Sequence, residues 1–175
     1  MKVLCISGKA GSGKDTLANL VQNVLFDVYE EECVIVHYAD MLKHICKDYF
    51  FWDGNKDAKG RRMLQEVGTD IFRKMDNDYW VKIVIPIIKA IGEYNDIKYV
   101  IVPDCRFRNE IDWLVNNFDT IHVRVIRPSS LTGQLSEHVS ETDLDGVTPD
   151  YYIDNSGAVA DLYPPAVTLS SWMVE

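Results

Sequence analysis

The sequence predicts an α/β fold, a doubly wound parallel sheet of about five strands flanked by helices. Three observations predict it. The runs "KVLCIS" (2–7), "CVIVHYA" (33–39) and "KYVIVPD" (98–104) are continuously apolar and rich in β-branched residues, as strands buried on both faces are. Stretches with apolar residues three and four apart separate those runs, which is helical spacing. A glycine-rich turn, "GKAGSGKD" (8–15), joins the first strand directly to the first helix. Strands alternating with helices make a parallel sheet with crossover helices. The chain has 175 residues, 47% of them apolar, and shows no repeats, linkers or low-complexity tracts, so one domain with a sizeable core is expected.

Taken in order, strand 2–7 leads through the glycine turn into a helix from Lys14 to about Phe26, with Leu17, Leu20, Val21, Val24 and Leu25 on its apolar side. Strand 33–39 ends at Asp40, and a helix bearing Leu42, Ile45 and Cys46 on one face follows. "FFWDGNKDAKG" (50–60) reads as a turn-rich excursion. Helices are expected at about 59–75 and 78–94, the second kinked or split at Pro86. Strand 98–104, helix 107–117 and strand 120–128 follow. Residues 129–150 carry no period and read as a loop or flap. "YYIDN" (151–155) is a short fifth strand, and "GAVADLY" (157–163) starts a last helical turn or two.

Composition excludes some functions. A formal charge of −9 argues against binding polymeric nucleic acid, which requires a broad basic surface. Small anions remain compatible, since a few aimed cations and backbone N–H groups hold a phosphate. Cys5, Cys33, Cys46 and Cys105 are scattered, with no C-x-x-C pair, and read as reduced thiols of a cytoplasmic protein. No apolar run is long enough to span a bilayer. Val81, Ile83, Val84, Ile85, Ile87 and Ile88 put apolar residues on more than one face of 80–91. That segment is deep core or a subunit interface, and the reading leans to a homodimer.

Three constellations carry chemistry. In the first, Gly8, four intervening residues and Gly13-Lys14 have the spacing of a phosphate-binding loop, with a strand before and an amphipathic helix after. Such a loop turns backbone N–H groups inward at a helix N-terminus, and its lysine reaches the β- and γ-phosphates. Asp15 stands where Ser or Thr is usual, and Thr16 comes one position late. A carboxylate suits a helix N-terminus and is a hard oxygen ligand for Mg²⁺, directly or through water, which leaves Thr16 for an inner phosphate. In the second, "VIVPDCRFRNE" puts Asp104 at the carboxyl end of a buried strand, where a second magnesium anchor belongs, with Arg106 and Glu110 close behind. In the third, Arg61, Gln65, Gly68, Thr69 and Arg73 include pairs four apart on a helix. Arginine forks suit a monophosphate, Gln and Thr suit a base edge, and Trp80 either stacks or fills core. Read alone, the arginines equally suit a solvated helix face.

Together, "GKAGSGKDTLA", "YADMLKH", "RRMLQEVGTDIFRKMDNDYWV" and "VPDCRFRNEI" resemble the bacteriophage-type deoxynucleoside monophosphate kinases, over residues 6 to about 111. That family shows Gly-Lys-Asp-Thr in its phosphate loop, so the resemblance makes Asp15 a family variant. The implied fold is of the P-loop NTPase type, with a helical nucleoside monophosphate-binding segment at about 40–94 and a flap at about 128–150. The implied reaction moves the γ-phosphoryl group of ATP to a deoxynucleoside monophosphate, with Mg²⁺. By resemblance, Gly8, Gly11, Ser12, Gly13, Lys14, Asp15 and Thr16 bind ATP, and Asp15 and Asp104 hold the metal. Asp40, Lys43, Arg61, Arg62, Gln65, Gly68, Thr69, Arg73 and Trp80 receive the deoxynucleotide. Asp104, Arg106 and Glu110, with Lys14 and Asp15, act at the transferring group. "YIDNSGAVADL" is similar to the turn flanking adenine in related kinases, which adds Asn155 and Gly157 to the ATP site.

The flap departs from the wider kinase pattern. Residues 128–150 contain no Lys or Arg, so charge neutralisation falls to Lys14, Arg106, Arg127 and the metal. Two rivals remain: another small-metabolite kinase of phosphomevalonate or dephospho-coenzyme A type, and a non-catalytic nucleotide-binding module. A GTP switch is excluded, because "NKDA" (55–58) lacks the final Asp of a guanine motif.

Overall fold

The computed structural model describes residues 1–128 and 137–175. Five parallel strands, β1 (Lys2–Ser7), β2 (Cys33–Ile35), β3 (Tyr99–Cys105), β4 (Asp119–Ile126) and β5 (Tyr151–Asp154), lie in the order β2-β3-β1-β4-β5. The central strand β1 pairs Val3 with Val100 on one side and Thr120 on the other. Its alternate residues face opposite layers, each with its own core, which is why the run is continuously apolar. Leu4 and Ile6 pack with Leu17, Val21 and Leu25 of α1 (Lys14–Tyr29) and with Met173 of α7 (Tyr163–Val174). Val3 and Cys5 pack with Val81, Val84 and Ile88 of α4 (Tyr79–Asn95) and Leu114 of α5 (Arg108–Asn117). The apolar residues of 80–91 are thus largely core of this chain.

The structure corrects the sequence reading at several elements. β2 ends at Ile35, four residues earlier than expected. Val36 still donates to the Ile101 carbonyl, but the backbone N–H groups of Tyr38 and Ala39 go to the Asp104 carboxylate and open α2 (Ala39–Phe50). The helix expected over 59–75 is α3 (Ala58–Gln65) continued as a π-helix, Glu66–Arg73. α4 is not split at Pro86 but continues through it, with the proline on the exposed side. "GAVADLY" contains a 3₁₀ turn (Val159–Leu162), followed by the twelve-residue α7. Pro164 and Pro165 stand in its first turn, where proline is well suited to a helix. The expected flap falls partly outside the described residues, at 129–136, and its remainder holds the short α6 (Val139–Thr142). All four cysteines are free, and the Cys5 and Cys105 sulfurs lie 2.9 Å apart.

His122 on β4 carries a pH signature. It is 4% exposed, and its Nε2 lies 2.7 Å from Ser7 Oγ. Burial, helped by the Arg124 charge, lowers its pKa to about 4 from 6.5, so the folded chain holds a neutral imidazole that the unfolded chain would protonate. Its stabilisation is complete above pH 6.5 and is lost as pH falls towards 4, a change of about 3 kcal/mol. Between pH 4 and 7 the unfolding free energy of His122→Gln should change by that much less than that of the wild type, a shallower slope against pH. An unchanged slope would reject a buried neutral His122.

Candidate active site

At the carboxyl edge of β1 the chain must turn into α1 with almost no spacer, and positive-φ glycines make the turn: Gly8 (142°), Gly11 (77°) and Gly13 (101°). A side chain at Gly8 would strike the Val125 carbonyl, and one at Gly13 would strike the Asn155 amide. Lys14 Nζ donates to the carbonyls of Gly8 (2.8 Å) and Lys9 (2.9 Å), closing the loop around its own ammonium. α1 begins at a left-handed Gly13 with no side-chain cap, so its first N–H groups stay available for an anion. Burial, with the Arg106 charge adding to it, pulls the Lys14 pKa down to about 8, against Glu141, Asp15 and Asp104.

A cavity of about 260 Å³ opens beside this loop. Ala10, Gly11, Lys14 and Asp15 line it, as do Lys43 of α2, Arg61 and Gln65 of α3, Gly68, Thr69 and Arg73 of the π-helix, Trp80, Asp104, Arg106 and Glu110. Residues from all three sequence constellations therefore share one cavity. Other members of the predicted set stand outside it. Gly8, Ser12, Gly13 and Thr16 belong to the loop and its helix, and Arg62 is exposed. Asp40 binds Lys43 (2.9 Å) at the entrance. Arg127 lines a second cavity, of about 160 Å³, and Asn155 and Gly157 line neither. Asn155 is 3% exposed and donates to the Ser12 carbonyl (2.8 Å), so its amide braces the loop from beneath.

The arginines differ sharply. Arg73 is 6% exposed, pairs with Glu110, donates to the Asn77 carbonyl (2.9 Å) and to Asn109 (3.3 Å), and lies 3.8 Å over the Phe107 ring. Glu110 also accepts the N–H groups of Arg106 (2.7 Å) and Phe107 (3.1 Å), capping α5. Burial raises the Glu110 pKa towards neutrality, while Arg73 and those N–H groups oppose the rise. The guanidinium of Arg61, half-buried on the cavity wall, has no hydrogen-bond or ion-pair partner among the described residues. Trp80 is 4% exposed, donates its indole N–H to the Gly68 carbonyl (3.0 Å), and packs edge-on against Phe72 and Tyr79. It is core with one edge on the cavity.

The carboxylates suit a phosphate-bound Mg²⁺. Such an ion takes one or two carboxylates plus phosphate oxygens and keeps several waters, so it needs no protein cage. Among the described residues no cage of three or more His, Cys, Asp or Glu exists. Asp104 is fixed by the Tyr38 and Ala39 N–H groups, one to each oxygen, which leaves lone pairs on both. Asp15 is two-thirds exposed, and its partner is His37 (3.2 Å). That hydrogen bond lowers the Asp15 pKa and raises that of His37.

Sequence reasoning missed two groups, His37 and Glu141. His37 sits between Asp15 and Asp40 (3.4 Å), and no motif marks it. Glu141 lies in the stretch without period, yet its carboxylate accepts the Ala10 N–H (3.0 Å) and pairs with Arg106. Nothing local to "SEHVSETD" signals a partner some 130 residues away.

No helix among the described residues is long and apolar enough to cross a membrane. No curated protein sequence matches the chain. Among solved structures, the chain is similar to dephospho-CoA kinase from Campylobacter jejuni at 13% identity and a TM-score of 0.51, covering 98% of this chain and 97% of that one. It also aligns with the Mycobacterium tuberculosis APS kinase CysC in complex with AMPPNP and APS at 13% identity and a TM-score of 0.49, covering 99% and 98%. The first likeness shows a P-loop kinase fold. The deoxynucleotide monophosphate kinase family matches over residues 24–165, which starts beyond the phosphate loop and extends well past the motifs that end near residue 111. With most of its length matched and a phosphate loop ahead of the match, this chain is a P-loop nucleotide kinase, a phosphotransferase belonging to the deoxynucleotide monophosphate kinase family.

Proposed function

We propose that the chain transfers the γ-phosphoryl group of ATP to a deoxynucleoside 5′-monophosphate, giving the deoxynucleoside diphosphate and ADP. The observation that carries the reading is the single cavity that joins the phosphate loop to Gln65, Thr69 and an Arg61 guanidinium without a partner among the described residues. A polyphosphate needs the loop, a monophosphate needs a cation with no protein partner, and a base edge needs amide and hydroxyl groups. In this reading Lys14 and the loop N–H groups hold the ATP tail, with Thr16 at an inner phosphate. Arg61 and Lys43 receive the acceptor phosphate, Gln65 and Thr69 meet the base, and Trp80 forms the wall behind them. Arg106 neutralises charge on the group in transit. Asp15 and Asp104 would hold Mg²⁺, which when bound neutralises the developing charge on the phosphates. The acceptor is already an anionic oxygen, so no strong general base is required, and Glu110 serves by orienting Arg73 and capping α5. Arg73 acts as a positioning residue, since both of its terminal nitrogens already serve Glu110, Asn77 and Asn109.

The test is ADP release from ATP and Mg²⁺ with each of the four deoxynucleoside monophosphates, run beside dephospho-coenzyme A and phosphomevalonate. Turnover with one or more deoxynucleotides is expected. Turnover confined to the non-nucleotide acceptors would reject the acceptor assignment.

A further inference from the structure

We propose that Glu141 is a built-in occupant of the anion site of the phosphate loop, a carboxylate that the terminal phosphate of an incoming nucleotide must displace. The proposal deepens the kinase reading given above and rests on its nucleotide site.

Glu141 stands where donors for a phosphate converge. Its side chain is 4% exposed, although it comes from a flap with no Lys or Arg. One oxygen accepts the Ala10 N–H of the loop (3.0 Å), and the other pairs with Arg106, while its charge also reaches Lys14. The surrounding main chain is clamped. Lys9 Nζ donates to the Glu141 carbonyl and binds Asp145 (2.6 Å), Arg106 donates to the Ser140 carbonyl (3.3 Å), and Arg124 donates to the Leu144 carbonyl (2.6 Å). A carboxylate with a loop N–H on one oxygen and a guanidinium on the other makes the hydrogen bonds a phosphoryl oxygen pair would make. Arg106, Ser140 and Glu141 also line both the main cavity and the smaller one, so this residue stands between them.

Two anions cannot share those donors, because like charges a few ångströms apart in a partly buried site repel strongly. Phosphate entry therefore exchanges one anion for another, and the measured affinity is the difference between two binding strengths. The flap without arginines then makes sense: it contributes the competitor, not the clamp. A polyphosphate tail carries enough charge to win the exchange, and a nucleoside lacking phosphates leaves Glu141 in place.

The test is calorimetric titration of the full chain with inorganic tripolyphosphate, comparing wild type with Glu141→Gln and Glu141→Ala. Removing the competing charge should tighten tripolyphosphate about tenfold or more in the alanine variant. Glutamine keeps the volume and an acceptor for the Ala10 N–H, so it should fall between the two. Adenosine affinity should stay the same in all three. Unchanged or weaker tripolyphosphate binding in both variants would overturn the proposal and mark Glu141 as a positioning group for Arg106. Tripolyphosphate needs no acceptor, so the outcomes separate. Tightening without deoxynucleotide turnover keeps this inference and rejects the substrate; turnover without tightening does the reverse.

Discussion

Alanine in place of Arg106 is expected to slow phosphoryl transfer on the order of 10³-fold at saturating substrates. A cation beside the transferring group stabilises charge that appears only in the transition state, so its loss falls on kcat more than on KM. The fold should tolerate the change. The Arg106 side chain is 31% exposed, and its enclosed partner Glu141 keeps the Ala10 N–H and the Lys14 charge, so removal should cost about 1–3 kcal/mol, less than breaking a pair enclosed at both ends. Single-turnover rates beside thermal melts test both halves. Near-normal turnover would reject Arg106 as the neutralising group.

Arg73→Ala should behave in the opposite way. Here the pair is enclosed at both ends, 5% exposed at Arg73 and 4% at Glu110, and truncation strands a carboxylate in the core. Breaking such a pair costs about 3–5 kcal/mol, so the denaturant midpoint should drop steeply. Adding Glu110→Gln should restore part of the loss, since the stranded charge is then gone while an amide can still accept the Phe107 or Arg106 N–H. A midpoint within about 1 kcal/mol of wild type would mean that the pair contributes little and that Arg73 is free to serve substrate directly.

The contrast between these arginines shows what the sequence carries and what it withholds. Spacing announced that Arg61, Gln65, Thr69 and Arg73 would share a helix face, and all four do line one cavity. It could not announce that Arg73 would be claimed by Glu110, 37 positions later on another element. The strand–loop–helix at the amino terminus was legible because its signals are local: apolar run, glycines, lysine, amphipathic helix. β2 was read too long because apolarity continues past the point where Asp104 captures the backbone. α7 is longer than the turn or two its opening suggests, because its apolar residues surround it and leave no one-sided period to read. Glu141 was invisible for the same reason as the Arg73 pair, since both depend on which strand edges the topology brings together.

The brace under the loop has a consequence for how the protein comes into being. The loop at residues 8–14 is made well before the Asn155 amide that lies against Gly13 and Ser12, and α1 before the α7 it packs on. Until β5 has joined the edge of the sheet, the nascent loop lacks the floor that fixes its glycines. Phosphate binding then waits on Asn155, and a nascent chain that has not yet reached it lacks a shaped loop for nucleotide.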